Sequence, residues 1–178
     1  LGVPAAGLGA LMSVYTGVLL SATSTPLWAA TSRHLPALFG ATAGASAGAA
    51  LSLVLALSGA PGTVLRRLDR FGLLASAAQL ALAVSTDRQW RRAGVSGPLD
   101  EAPLAAAHRV GVLALGIGLP LLVQAVHILG GRHSRSLGLL ASLATLGGAY
   151  AERAVIVFGG NRSADRPEDT FRLAQKAQ

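Results

Sequence analysis

Apolar residues fall into five long runs separated by short polar breaks. The runs cover roughly 3–24, 36–58, 64–86, 107–129 and 137–158. Each approaches the about 20 apolar residues that carry a helix across the hydrocarbon core. The breaks, TSRHLP (31–36), SGAPG (58–62), TDRQWRRAGVSGPLDEAP (86–103) and GGRHSRS (130–136), hold the proline, glycine and charge that punctuate helices. The pattern predicts an all-α, polytopic transmembrane bundle over 1–160. A polar tail follows over 161–178 and reads either as a short amphipathic end or as disordered chain. Leu1 opens the chain inside an apolar stretch, without a basic leader region, which reads as a truncated start.

Composition agrees with a bilayer. The mean hydropathy is +0.53, 52% of residues are hydrophobic and 13% are charged, against about a quarter charged in soluble domains. The excess is Leu, Ala, Val and Gly, which suits closely packed membrane helices. The net charge of +7 could suggest nucleic acid, but the arginines sit in short clusters between apolar runs, as in membrane loops. No nucleic-acid partner is expected. There is no cysteine, which removes disulfides, thiolate zinc sites and iron–sulfur ligation by this chain.

Five crossings alternate the loops between two sides. One side holds nine basic residues, Arg33, Arg88, Arg91, Arg92, Arg109, Arg162, Arg166, Arg172 and Lys176. The other holds five, Arg66, Arg67, Arg70, Arg132 and Arg135. The positive-inside rule then places the C-terminus in the cytoplasm.

Small residues mark a packing face in the second span. Gly40, Gly44 and Gly48 recur at i, i+4 and i+8 and offer a flat groove to a neighbouring helix.

Polar groups inside the spans need a reason, because a central charge costs about 2.5–3.5 kcal/mol on insertion scales. Tyr15 lies mid-span beside Ser13 and Thr16. A threonine hydroxyl can bond the preceding turn, whereas a phenol needs a partner helix, water or ligand. Trp28 reads as an interfacial anchor. Asp69, in VLRRLDRFGLL, is either an interfacial ion-pair partner of Arg66, one turn away, or a carboxylate that exchanges protons. Glu152 and Arg153 are adjacent and point about 100° apart, so they do not pair well with each other. They serve either helix packing or a proton path. Gln79, Gln124 and His127 read first as interhelical hydrogen-bonding groups. His34 with His108, or His127 with His133, could match in depth as haem ligands. His108 and His127 sit at opposite ends of one span and cannot share a haem. No metal-ligand spacing, nucleophile elbow or phosphate loop is present, and the apolar GxG of LGIGLP lacks a strand–turn context.

In chain order, YTGVLL with PLW, LPALF leading into GASAGAA, RLDRFGLLASAAQLALA, HRVGVLALGIGLPLLVQ and ERAVIVFGGNRSADRPEDTF together resemble the NrfD/PsrC family. These are membrane subunits of polysulfide-reductase-like complexes in the bacterial cytoplasmic membrane. The resemblance implies a protein of eight or more helices of which this chain is the C-terminal part. It implies a menaquinone-type quinone as redox partner, a four-cluster iron–sulfur protein as electron partner and a molybdopterin catalytic subunit behind it. It implies no haem or iron–sulfur cluster in this chain. Carried over by residue, it points to Tyr15 as the foremost quinone contact, with Ser13 and Thr16 beside it as candidates, then Asp69, then His127, with Glu152 and Arg153 in proton movement or packing. Two other readings stand beside it. One is a transporter or ion path lined by Asp69, Glu152 and Arg153, and the other is a plain membrane anchor.

Overall fold

The computed structural model describes residues 2–176, with side chains through Arg172. All regular structure among them is helical, in the order α1 (Gly2–Ser21), α2 (Pro26–Ala29), α3 (His34–Leu57), α4 (Gly62–Ala93), α5 (Gly97–Asp100) and α6 (Leu104–Ala106). A π-helical stretch, Ala107–Gly118, runs into α7 (Leu119–Leu129), and α8 (Arg135–Ala164) and α9 (Pro167–Lys176) complete the chain.

Four of these are long and apolar enough to cross a membrane: Gly2–Ser21, His34–Leu57, Leu104–Leu129 and Arg135–Ala164. The third expected crossing, 64–86, lies in α4, which fails that standard although it has 32 residues. Only 16 residues, Phe71 to Thr86, separate the charges of Arg70 and Asp87. The helix itself, at about 48 Å, exceeds the hydrocarbon thickness.

The exterior is greasy, and polar side chains are buried within the apolar interior. Leu122 is 68% exposed and Leu129 87%, while Thr42, Ser76, Gln79 and Glu152 are all at most 4% exposed. Lipid is the solvent that accepts such an exterior.

Two compact units emerge. The first takes residues 1–40, 82–106 and 153–178, and the second 41–81 and 107–152. In the first, two indoles are fastened to backbone carbonyls. Trp90 Nε1–H donates to Leu27 O at 2.8 Å and Trp28 Nε1–H to Ile156 O at 2.9 Å. Gly160 lies where a side chain would collide with the Trp28 ring. Trp28, read as an interfacial anchor, commits its indole N–H to a backbone carbonyl of the protein. Burial of Trp90 also explains why α4 continues to Ala93 and shortens the expected 86–103 break. Asp87 and Arg91, one turn apart at 2.9 Å, support the same extension.

The expected polar tail, read as an amphipathic end or disordered chain, is helical through Lys176 apart from a turn at 165–166. α8 runs on to Ala164, so the boundary at 160/161 falls inside a helix. α9 then docks by polar contacts: Arg166 on Glu101 at 3.1 Å, and Arg172 on the Gly94 carbonyl at 2.9 Å.

Asp169 in α9 is 3% exposed, and its Oδ2 has no hydrogen-bond partner. Burial pushes its carboxyl above the ordinary 3.8, against the opposing pull of Arg166 and the Ser163 hydroxyl. The folded state therefore binds this proton more tightly than the unfolded chain. Stability should fall as pH rises from about 4 through the raised folded value, and stay lower above it. Asp169→Asn is expected to flatten that slope and to raise stability at neutral pH. Tryptophan fluorescence during unfolding reads this directly, because both tryptophans lie in the first unit. An unchanged slope in the variant would count against the buried carboxyl as its source.

Candidate functional site: a buried carboxylate between two imidazoles

The second unit gathers three titratable side chains from helix ends. Asp69 comes from the third turn of α4, His127 from the last turn of α7, and His133 from the loop before α8. Gly131, with φ +63°, turns the chain back after α7 as a left-handed helix end that favours glycine. That turn brings His133 to face His127, with ring centroids 4.5 Å apart.

Both rings use Nδ1 on the same atom. Asp69 Oδ2 lies 3.1 Å from His127 Nδ1 and 2.7 Å from His133 Nδ1. The side chains are 8%, 2% and 4% exposed, respectively. Arg66 does not pair with Asp69, as the ion-pair reading would have it; its guanidinium donates to the Gly131 carbonyl at 2.7 Å.

The network assigns the tautomer of His127. The Ser134 backbone N–H donates to His127 Nε2 at 3.3 Å, so Nε2 carries the lone pair and Nδ1 carries the hydrogen. His127 is thereby a neutral donor to the carboxylate. The same contact argues against a metal, although Asp69, His127 and His133 offer ligand atoms within 4.8 Å of one another. A histidine that ligates through Nδ1 keeps a hydrogen on Nε2 and donates it outward, and here Nε2 faces a donor. A haem between His127 and His133 fails too, since both imidazoles turn to one oxygen rather than to opposite faces of a ring.

His133 differs. Its Nδ1–H is held by Asp69, and its Nε2 is buried without a partner. This ring borders a cavity of about 20 Å³, walled by Gly72, Gln124, Gly138, Ser142 and other small residues. That volume accommodates about one water. Gln124 Oε1 is a second buried acceptor with no partner. Glycine makes the walls possible: a Cβ on Gly138 would come within 2.8 Å of the His133 ring, and one on Gly72 would strike the Gln124 amide. An acid–base pair with one open nitrogen beside a small polar space can take up or release a proton.

A second polar cluster surrounds Glu152, which is 4% exposed. Thr42 Oγ1 donates to one carboxylate oxygen at 2.6 Å and Gln79 Nε2 to the other at 3.1 Å. Arg153 goes elsewhere, 4.6 Å over the Phe39 ring, as a cation–π contact.

Other singled-out residues lie apart from these clusters. Tyr15 is 54% exposed on α1; Thr16 is exposed too, and the Ser13 hydroxyl donates to Ala10 O at 2.7 Å. None of the three contributes an atom to the Asp69 cluster. The glycine face of α3 meets two partners, Val14 at Gly40 and the Phe71 ring at Gly48, and nothing within 4 Å at Gly44. Sequence reasoning placed His133 in a loop and weighed it only as a haem ligand; the signal was a histidine two residues beyond the Gly-Gly turn. Comparison with known protein families, curated proteins and solved structures finds no match to this chain.

Proposed function

We propose that the chain is a quinone-interacting membrane subunit of an oxidoreductase complex, as its resemblance to the NrfD/PsrC family implies. The observation that carries the reading is the buried, unpartnered Nε2 of His133, a residue backed by Asp69 and bordering a small cavity. A quinone supplies two-electron, two-proton redox chemistry when bound. The chain's own residues handle the protons. His133 holds one at Nε2, Asp69 balances the resulting positive charge, and His127 keeps the carboxylate in place. Gln124 offers an acceptor beside them.

The resemblance assigns the electrons to partners, a four-cluster iron–sulfur protein and a molybdopterin subunit, and no cysteine is present here to ligate a cluster. Glu152 extends the proton chemistry inward. Gln79 stands ten residues beyond Asp69 on α4, about 15 Å along the axis, and Ser76, 1% exposed, lies between them. On this reading Tyr15 meets quinone at the open face of α1, outside the histidine site. The excess of basic residues on the tail's side supports a C-terminus in the cytoplasm of a bacterial cell, with the His133 loop on the far side.

Quinone content tests the proposal. The protein is purified in mild detergent with its native partners, its lipids are extracted, and wild type is compared with His133→Gln and Tyr15→Phe. Near-stoichiometric quinone that falls in His133→Gln supports the histidine site. A fall only in Tyr15→Phe keeps the quinone at α1 and makes the histidine cluster a separate proton site. Wild-type protein without quinone favours the transporter or anchor readings.

A further inference from the structure

A second recess lies in the same unit, on its outer surface. Arg66 and Arg70 of α4, with Ile128 of α7 and Gly131 after it, border a space of about 170 Å³. That is room for roughly ten waters by the same measure. The two arginines are one turn apart and therefore share a face of α4. Arg66 commits one donor to the Gly131 carbonyl at 2.7 Å, which fixes its guanidinium at the rim. Arg70 is exposed. The nearest acid in sequence, Asp69, is committed to His127 and His133.

Charge accumulates around the recess. Arg67, Arg132 and Arg135 follow in the same short segments, and Arg135 is fastened to the Ala60 carbonyl at 3.2 Å, not to an acid. A second observation gives the shape of the missing anion. Below Arg70 the same α4 face turns apolar: Leu74 is 72% exposed, and Ala77, Ala78 and Ala81 leave a shallow strip. On α7, Leu122 and Val126 are 68% and 60% exposed. Cationic donors at a helix end followed by open aliphatic surface match a molecule with a phosphate head and an acyl tail.

We propose that this recess binds the phosphate of an anionic phospholipid, with Arg70 and Arg66 as its donors and the α4–α7 surface beneath them covered by acyl chain. Guanidinium groups suit phosphate because their planar donors bond it in pairs, and basic pockets beside membrane helices hold such headgroups. The site is separate from the quinone proposal and stands whether or not that reading does.

The test is thermal unfolding of the purified protein in a neutral detergent, titrated with phosphatidylglycerol, with phosphatidylcholine and with inorganic phosphate. Saturating phosphatidylglycerol should raise Tm by about 5–10 °C, and the other two should leave it within error. Arg70→Gln should weaken the phosphatidylglycerol response about 10–100-fold in concentration. Arg88→Gln, an exposed arginine five turns further along α4 and outside the recess, should not. Mass spectrometry of the intact protein counts retained phosphatidylglycerol independently of Tm, so a destabilised variant remains informative. An equal rise with phosphatidylcholine overturns the proposal, as does a rise with inorganic phosphate alone or an unaltered response in Arg70→Gln.

Discussion

On the proposed reading, Asp69→Asn lowers quinone-linked electron transfer by about 10²–10⁴-fold while leaving the chain folded. The argument starts from the shared oxygen. Asp69 Oδ2 accepts from both imidazoles, and an asparagine can set its carbonyl oxygen in that place and keep both contacts. Its amide cannot balance an imidazolium. His133 would keep its position and lose the charge opposite its ring. A variant that folds normally and turns over slowly, with an altered pH profile, separates proton handling from packing. The assay is reduction of the proposed iron–sulfur partner by quinol in membranes, across a pH series. Turnover within threefold of wild type would sink the assignment.

The largest structural effect is expected at a contact between two glycines. Gly116, in the π-helical stretch, and Gly148 of α8 meet backbone to backbone, and a Cβ on either would land on the Cα of the other. Backbone cannot step aside as a side chain can. Gly116→Ala or Gly148→Ala should therefore cost about 3 kcal/mol or more. The sign is the diagnostic feature, because alanine in place of helical glycine ordinarily stabilises by about 1 kcal/mol. Gly147→Ala and Gly44→Ala, which face open space, should show that ordinary gain. Unfolding midpoints in detergent decide the matter, and equal stability of Gly116→Ala and Gly147→Ala would refute the close contact.

The helices were legible because their cause is local: a run of apolar residues between charges and glycines. What escaped was whatever depends on distant partners. Asp69 and His127 stood out singly as polar groups in apolar runs. Nothing within a helical turn of either says that 58 residues of chain close into a hydrogen bond. His133, in a loop, drew attention only as a haem ligand. The Gly40, Gly44 and Gly48 pattern was visible, while its partners were not, and the tighter Gly116 contact hid in LGIGLP because its mate lies on another helix. Asp87, Trp90 and Arg91 read as a polar break until the burial of Trp90 showed the helix continuing beneath them.

The lone pair of His127 that faces Ser134 sets a limit on storage. With that ring confined to its neutral form and the carboxylate receiving two N–H groups, the cluster has one vacancy, on His133. On the proposed reading a carrier that releases two protons cannot discharge both at once. The cluster works as a turnstile: it admits one proton, and must empty before the next can pass. The rate of emptying, toward water or toward Glu152, then governs the cycle as much as electron flow does.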